Sequence, residues 1–95
     1  GLSLPAVSAP YISPDQCLAT AQTIYQIASL RDAGMPRETI DAEIALLEGV
    51  ERQFWNYWVP LIYNSKEKPD VIGIAFYTAC MAEQGDVAKL YGKVT

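Results

Sequence analysis

Histidine is absent from the 95 residues of this sequence. It is the commonest general base, the usual partner of a nucleophilic serine or cysteine, and the commonest metal ligand. Serine and cysteine hydrolases of ordinary design are therefore excluded, and we expect no metal or other cofactor. A glycosidase would need two facing carboxylates. Glu48 and Glu51 lie one helical turn apart, but such a pair on a charge-rich helix is typical of a solvated face. The sequence predicts a protein that is not an enzyme.

Basic clusters and long apolar runs are missing as well. Seven basic residues stand against eleven acidic ones, which gives a net charge of −4. A nucleic-acid-binding surface needs clustered lysine or arginine to displace counterions from phosphates, so we expect no nucleic acid as a partner. The longest apolar run is far shorter than the roughly 18 residues of a membrane-spanning helix, so we expect no membrane insertion.

Cysteine occurs only twice, at Cys17 and Cys80. Without histidine, two thiols are too few for a structural zinc site, and their spacing is not that of a C-x-x-C redox motif. Each cysteine lies on the apolar face of a predicted helix, which favours a disulfide over two buried thiols. A disulfide forms in an oxidising compartment, so the sequence predicts a periplasmic or secreted protein.

The first twelve residues contain two prolines and show no hydrophobic period. We therefore expect a flexible N-terminal arm over residues 1–12 and a single helical domain over residues 13–95. The domain opens on a helix-start signature, in which Ser13 is the N-cap and Gln16 completes a capping box. The first helix is predicted at 14–33, with Leu18 and Tyr25 widening its buried stripe.

Helical periodicity continues along the rest of the chain. We expect a second helix over 36–63, bent or continuous across Gly49, because its apolar period persists beyond the glycine. A third helix begins at Pro69 and ends before Gly85, and Asp86 precedes a short final turn. No strand alternation occurs. The sequence therefore predicts an all-α fold, a small bundle of three to four antiparallel helices closed by one disulfide.

Four aromatic residues crowd into the five positions from Phe54 to Trp58. Phe54 and Trp58 match the inward stripe of their predicted helix, where we expect them to share one core with Ile24 and Phe76. Trp55 and Tyr57 are predicted to lie at the two edges of that stripe. The segment is then either an aromatic core cluster or an exposed anchor surface for a partner, since Trp and Tyr dominate interface hot spots.

The binding interpretation defines a candidate partner-binding surface. It comprises Trp55 and Tyr57 together with the neighbouring acids Glu48 and Glu51. An acidic surface steers a basic partner. Arg31, at the predicted end of the first helix, is interpreted as a helix-end residue that complements the dipole. Its alternative role is to pair with a buried acid or to hold a ligand carboxylate.

Short motifs follow one another along the chain in the order Cys17-x-x-x-Ala21, Arg31-Asp32-x-Gly34, Tyr63 and Phe76-Tyr77-x-x-Cys80. In this order they resemble uncharacterised small exported, periplasmic two-cysteine helical proteins of Gram-negative bacteria. The resemblance covers roughly residues 14–83 and implies an exported helical fold with one disulfide, without carrying over any catalytic residue. A looser likeness, of architecture alone, is to the acid-stress chaperones of the periplasm.

These patterns together predict an exported, non-enzymatic protein that binds another macromolecule, as an inhibitor, an immunity factor or an accessory subunit. The alternative is a periplasmic acid-stress chaperone that exposes its aromatic surface at low pH, and a small hydrolase is the weaker alternative. A pH titration of intrinsic fluorescence and oligomeric state separates the first two. A chaperone of that kind loosens between about pH 2 and 4, as its carboxylates become protonated.

Overall fold

The computed structural model describes residues 4–7 and 10–92 and has an all-α fold over them. Its helices are α1 (Pro14–Asp32), α2 (Arg37–Ile44), α3 (Gly49–Asn64), α4 (Pro69–Ala82) and the short α5 (Val87–Leu90). The all-α prediction is confirmed. None of these helices combines the length and apolar character needed to cross a membrane.

Helix α1 begins with the predicted capping box. The Ser13 N–H donates to Oε1 of Gln16 at 2.7 Å, and the Gln16 N–H donates to Oγ of Ser13 at 3.1 Å. Two otherwise unpaired backbone donors are thereby satisfied, which fixes the start of the helix. Gly34 follows the helix in the left-handed region, with φ of +94°. Both ends of α1 lie within one residue of the prediction.

The prediction of one helix over 36–63 is wrong, because the chain breaks between α2 and α3. Gly49 adopts a φ of +58°, which the interior of a right-handed helix does not accommodate. The side chain of Arg52 stabilises the break by donating to the carbonyl oxygens of Leu47 at 2.7 Å and Ala45 at 3.0 Å. The apolar period that continues past Gly49 therefore belongs to two separate helices.

Helices α1 and α4 pack against each other in antiparallel directions. The predicted Cys17–Cys80 disulfide is confirmed, and it joins the first turns of α1 to the end of α4 with a Cα–Cα distance of 5.8 Å. Farther along, a β-carbon at Gly73 would lie 3.3 Å from both the carbonyl oxygen of Ala21 and Cβ of Tyr25. The glycine thus lets the two helices approach closely.

The predicted aromatic core is confirmed. Phe54, Trp58, Ile24 and Phe76 are all buried in one hydrophobic cluster. The rings of Trp58 and Phe76 meet edge to face with a centroid distance of 5.6 Å, and those of Phe54 and Phe76 do so at 6.2 Å. These ring pairs connect α3 to α4, so the core lies where α1, α3 and α4 converge.

The N-terminal segment packs against the end of the bundle. The Ile12 N–H donates to the Gly85 carbonyl at 2.9 Å, and the Val87 N–H donates to the Pro10 carbonyl at 3.0 Å. Val7 and Ile12 are both buried in the core. The core therefore extends beyond the predicted domain start at residue 13, because the arm supplies apolar side chains to it. Residues 1–3, 8–9 and 93–95 lie outside the described part of the chain.

Candidate functional site

The structure corrects the predicted position of Trp55. Its side chain is 0% exposed, and its ring meets that of Phe54 edge to face at a centroid distance of 5.1 Å. Helix α3 packs against both α2 and α1. Two of its faces are therefore covered, and its buried stripe is wider than the period predicts: Phe54, Trp55, Trp58, Val59 and Ile62. Trp55 is a core residue and offers no contact surface.

The other members of the predicted partner-binding surface are not gathered around an exposed aromatic anchor. Tyr57 is half-buried and meets the ring of Tyr91 edge to face, with centroids 4.8 Å apart. Burial raises the pKa of Tyr91, and the neighbouring Tyr57 raises it further. Glu48 is exposed and Glu51 is half-buried at the start of α3. With Trp55 removed to the core, this segment no longer forms the predicted patch.

Arg31 lies in the last turn of α1, as the sequence predicts, and it also has a structural role at the end of a second helix. Its guanidinium donates to the main-chain carbonyl oxygens of Ile62 at 2.7 Å, Ser65 at 3.0 Å and Glu67 at 2.8 Å. Its Nε also donates to the Asp32 carboxylate at 2.9 Å. The side chain is only 11% exposed. Arg31 therefore caps the end of α3, a different helix from its own, and is engaged rather than open to a ligand.

An apolar groove runs between the outer faces of α1 and α4, with a volume of about 330 Å³. We call it the α1–α4 groove. Small residues, Ala21 and Gly73, form its floor, where the two helices approach each other closely. The remaining lining residues are Leu18, Gln22, Tyr25, Asp70, Ile74 and Tyr77. The surface of the groove is apolar, although Gln22 and Asp70 are among its lining residues.

Large apolar side chains in this groove are strongly exposed. Ile74 is 65% exposed, Tyr25 50% and Leu18 46%. Singly exposed apolar residues are ordinary, but a contiguous set marks an interaction surface. The prediction that Leu18 and Tyr25 belong to the buried stripe of α1 is wrong, because both side chains are exposed. Helix α4 packs against α1 at Ala21 and Gly73, and the side chains of Leu18 and Tyr25 beside this contact remain exposed.

A signal for the groove is present in the sequence of α4. The helix carries Ile72, Phe76 and Cys80 toward the core, yet Val71 and Ile74 are also large and apolar. A helix that is apolar all round must be covered on all sides or must expose a face. A domain of this size has too few other helices to cover α4 on all sides, so α4 exposes a face. The composition of α4, rather than the aromatic segment of α3, pointed to the surface.

Other kinds of site find little support in the described part of the chain. Over residues 4–7 and 10–92, no group of three or more acidic or cysteine residues is placed to hold a metal ion. No protein family matches the chain, and no curated protein and no solved structure shows significant similarity to it. The α1–α4 groove is the exposed apolar surface on which the proposed function rests.

Proposed function

We propose that this chain is an exported, non-enzymatic protein that binds another protein through the α1–α4 groove. The observation that carries the proposal is the contiguous exposure of Leu18, Tyr25, Ile74 and Tyr77 around an apolar floor. Keeping such a surface in water is unfavourable, at roughly 25 cal/mol for each Å² of apolar area. Covering it with a partner recovers that free energy.

The disulfide supports an exported location, in the periplasm or outside the cell. Cys17 and Cys80 are bonded and almost completely buried. Reducing compartments keep most protein thiols unpaired, whereas small exported domains commonly depend on such a bond. Inhibitor, immunity factor and accessory subunit are all roles in which a small exported protein acts by binding another one.

The same bond supports a binding function by holding the groove in shape. Cys17 is adjacent to Leu18 on one wall, and Cys80 lies one turn beyond Tyr77 on the other. The walls are thus joined covalently at one end of the groove and packed through Gly73 farther along. A surface that is already ordered loses little conformational entropy on binding, which favours affinity.

The groove has the size expected for the centre of a protein–protein interface and is too small to be a whole interface. A typical partner surface contributes about 800 Å² and 20–30 residues, with a few central hot spots. Tyrosine is enriched among hot spots, and Tyr25 and Tyr77 stand on opposite walls. Val71 and Met81 are also exposed on α4 and extend the apolar surface beyond the groove.

Site-specific photo-cross-linking tests the proposal. A photoreactive benzoylphenylalanine is placed at Ile74 in one variant and, as the matched control, at Leu46 in another. Leu46 is 79% exposed in the connection between α2 and α3, away from the groove. We expect position 74 to give a discrete adduct in an extract of exported proteins, identifiable by mass spectrometry, and position 46 to give none.

A substitution pair completes the experiment. Ile74→Asp places a charge in the groove and is expected to abolish capture of the partner identified by cross-linking, whereas Leu46→Asp leaves it intact. Both variants are first required to melt like the wild type. Equal adducts from positions 74 and 46, or none from either, would remove the basis for a binding function at this groove.

A further inference from the structure

The α1–α4 groove has the shape of a trough that runs parallel to two helices. Leu18 and Tyr25 line one wall seven residues apart, which corresponds to about 10 Å along α1. Ile74 and Tyr77 line the opposite wall, and the small floor residues leave a depression between them. A groove between two packed helices accepts a third helix, which inserts its side chains at i, i+3 or i+4, and i+7.

Acidic residues mark both ends of this trough. Asp70 lines the groove itself, near the end at which Tyr25 lies. Asp15 precedes Leu18 by three residues, so it is on the same face of α1 one turn nearer the opposite end. Within the described helices α1 and α4 the one base is Arg31, whose guanidinium is engaged with carbonyl oxygens at the end of α3.

We infer that the α1–α4 groove binds a basic amphipathic helix of a partner protein, an inference that rests on the proposed binding function. The apolar side chains of that helix fill the trough over Ala21 and Gly73. Lysine or arginine residues on its flanks face Asp15 and Asp70. Lys66 and Lys68 precede α4 in the connecting loop and are not lining residues of the groove.

Charge also argues against a second copy of this chain as the occupant. The two ends of the trough both carry an aspartate, so pairing two copies in either relative direction brings acid against acid. The net charge of −4 on each copy adds to this repulsion. A basic helix meets neither penalty. Electrostatic complementarity of this kind selects the partner and speeds association.

Three synthetic peptides of about 18 residues, long enough for several helical turns, provide the probe. The first has leucines at i, i+3 and i+7 with lysines on its flanks. The second replaces every lysine with glutamate, and the third scrambles the first so that the stripe is lost. Each carries a fluorophore and is titrated with the oxidised protein by anisotropy. We expect the lysine peptide to bind about tenfold more tightly than the glutamate peptide.

Matched variants locate the site. Ile74→Ala is expected to weaken the lysine peptide at least about fivefold by removing apolar contact, with Leu46→Ala as the unchanged control. Asp70→Asn is expected to weaken it about threefold while keeping an acceptor for the Val71 N–H, to which Asp70 now bonds at 2.9 Å. Glu48→Gln changes the net charge equally but lies outside the groove, and is expected to have no effect.

Each contrary result overturns the inference in a distinguishable way. If the scrambled lysine peptide bound as tightly as the first peptide, net charge alone would account for the interaction, and the apolar stripe would play no part. Equal binding of the glutamate peptide at the groove would remove the basic partner yet leave the proposed binding function standing. A dimer in sedimentation equilibrium that Ile74→Asp dissociates would make the occupant a second copy. If no peptide binds, the inference fails, and cross-linking from position 74 decides the proposed function separately.

Discussion

The guanidinium of Arg31, at the end of α1, donates a hydrogen bond of 2.7 Å to the carbonyl oxygen of Ile62, in the last turn of α3. The same group reaches the carbonyl oxygens of Ser65 and Glu67. Carbonyls at a helix end have no intrahelical donor, and a planar guanidinium can serve several of them at once. Arg31 therefore fixes how α1, α3 and the loop before α4 meet.

Arg31→Lys is expected to lower the free energy of unfolding by about 2 kcal/mol, because an ammonium cannot reach all three carbonyls with the same geometry. Urea denaturation followed by circular dichroism measures the loss. Arg37→Lys is the matched control, since Arg37 makes one exposed ion pair with Asp41 and its replacement is expected to cost about 0.5 kcal/mol or less. If both variants lost the same free energy of unfolding, Arg31 would not have the proposed capping role.

Gly85→Ala is expected to cost about 3 kcal/mol or more. Gly85 has a φ of +72°, and a β-carbon there would overlap the carbonyl oxygen of Ile12. Gly34→Ala separates the two causes, because Gly34 also has a positive φ but faces open space. It is expected to cost about 1 kcal/mol, the backbone penalty alone. Thermal melts that rank the variants equally would show that the arm does not dock against Gly85.

Trp55→Ala and Trp58→Ala are each expected to cost about 3–5 kcal/mol, since both indoles are fully buried. Leu46→Ala is expected to change stability by less than about 0.5 kcal/mol, because Leu46 is exposed. Chemical denaturation compares the three. If Trp55→Ala were as stable as the wild type, Trp55 would be a surface residue, and the predicted aromatic contact surface would stand.

Stability is expected to fall at high pH, partly through Tyr91. Burial raises the pKa of this phenol above its ordinary value near 10, as does the neighbouring Tyr57. Below pH 10 the phenol of Tyr91 is protonated in both the folded and the unfolded chain, so its titration takes nothing from the free energy of unfolding. Above pH 10 the unfolded chain releases it first, which favours unfolding. Tyr91→Phe is therefore expected to match the wild type at pH 7 and to lose less stability above pH 10. Parallel pH profiles in urea titrations would contradict this.

The Cys17→Ala/Cys80→Ala double variant is expected to be about 4 kcal/mol less stable than the oxidised wild type, the chain-entropy value for a loop of this length. The bond spans a sequence separation of 63 residues. Calorimetry measures the difference, and mass spectrometry without reduction shows the wild type two hydrogens lighter than its reduced form. A double variant as stable as the oxidised protein would mean that the bond constrains the unfolded chain very little.

Local signals were sufficient to predict much of the fold from the sequence. The capping box at Ser13 and the stop at Gly34 act within one helical turn, so their effect is readable without knowing the rest of the chain. The pairing of Cys17 with Cys80 follows from their positions on two apolar faces. The same reasoning placed Phe54, Trp58 and Phe76 in one core.

The break at Gly49 and the burial of Trp55 depend on tertiary contacts, which the hydrophobic periodicity of the sequence does not reveal. At Gly49 the helix ends rather than bends, with a positive φ at the glycine and with Arg52 donating to the carbonyl oxygens of Leu47 and Ala45. Once the break forms, α2 covers α3 from a second side, and the stripe widens to include Trp55. The groove was not predicted because Leu18 and Tyr25 were assigned to the buried stripe of α1, whereas both side chains are exposed in the packed pair of helices.

The position of the disulfide has a mechanical consequence. When the chain is pulled from points before Cys17 and after Cys80, the covalent bridge carries the tension and the helices between them bear none of it. In a reduced molecule the chain between the two cysteines, whose sequence separation is 63, could extend to about 200 Å at the reach of an extended backbone. The oxidised molecule behaves as a short, nearly inextensible link whose groove keeps its shape under load.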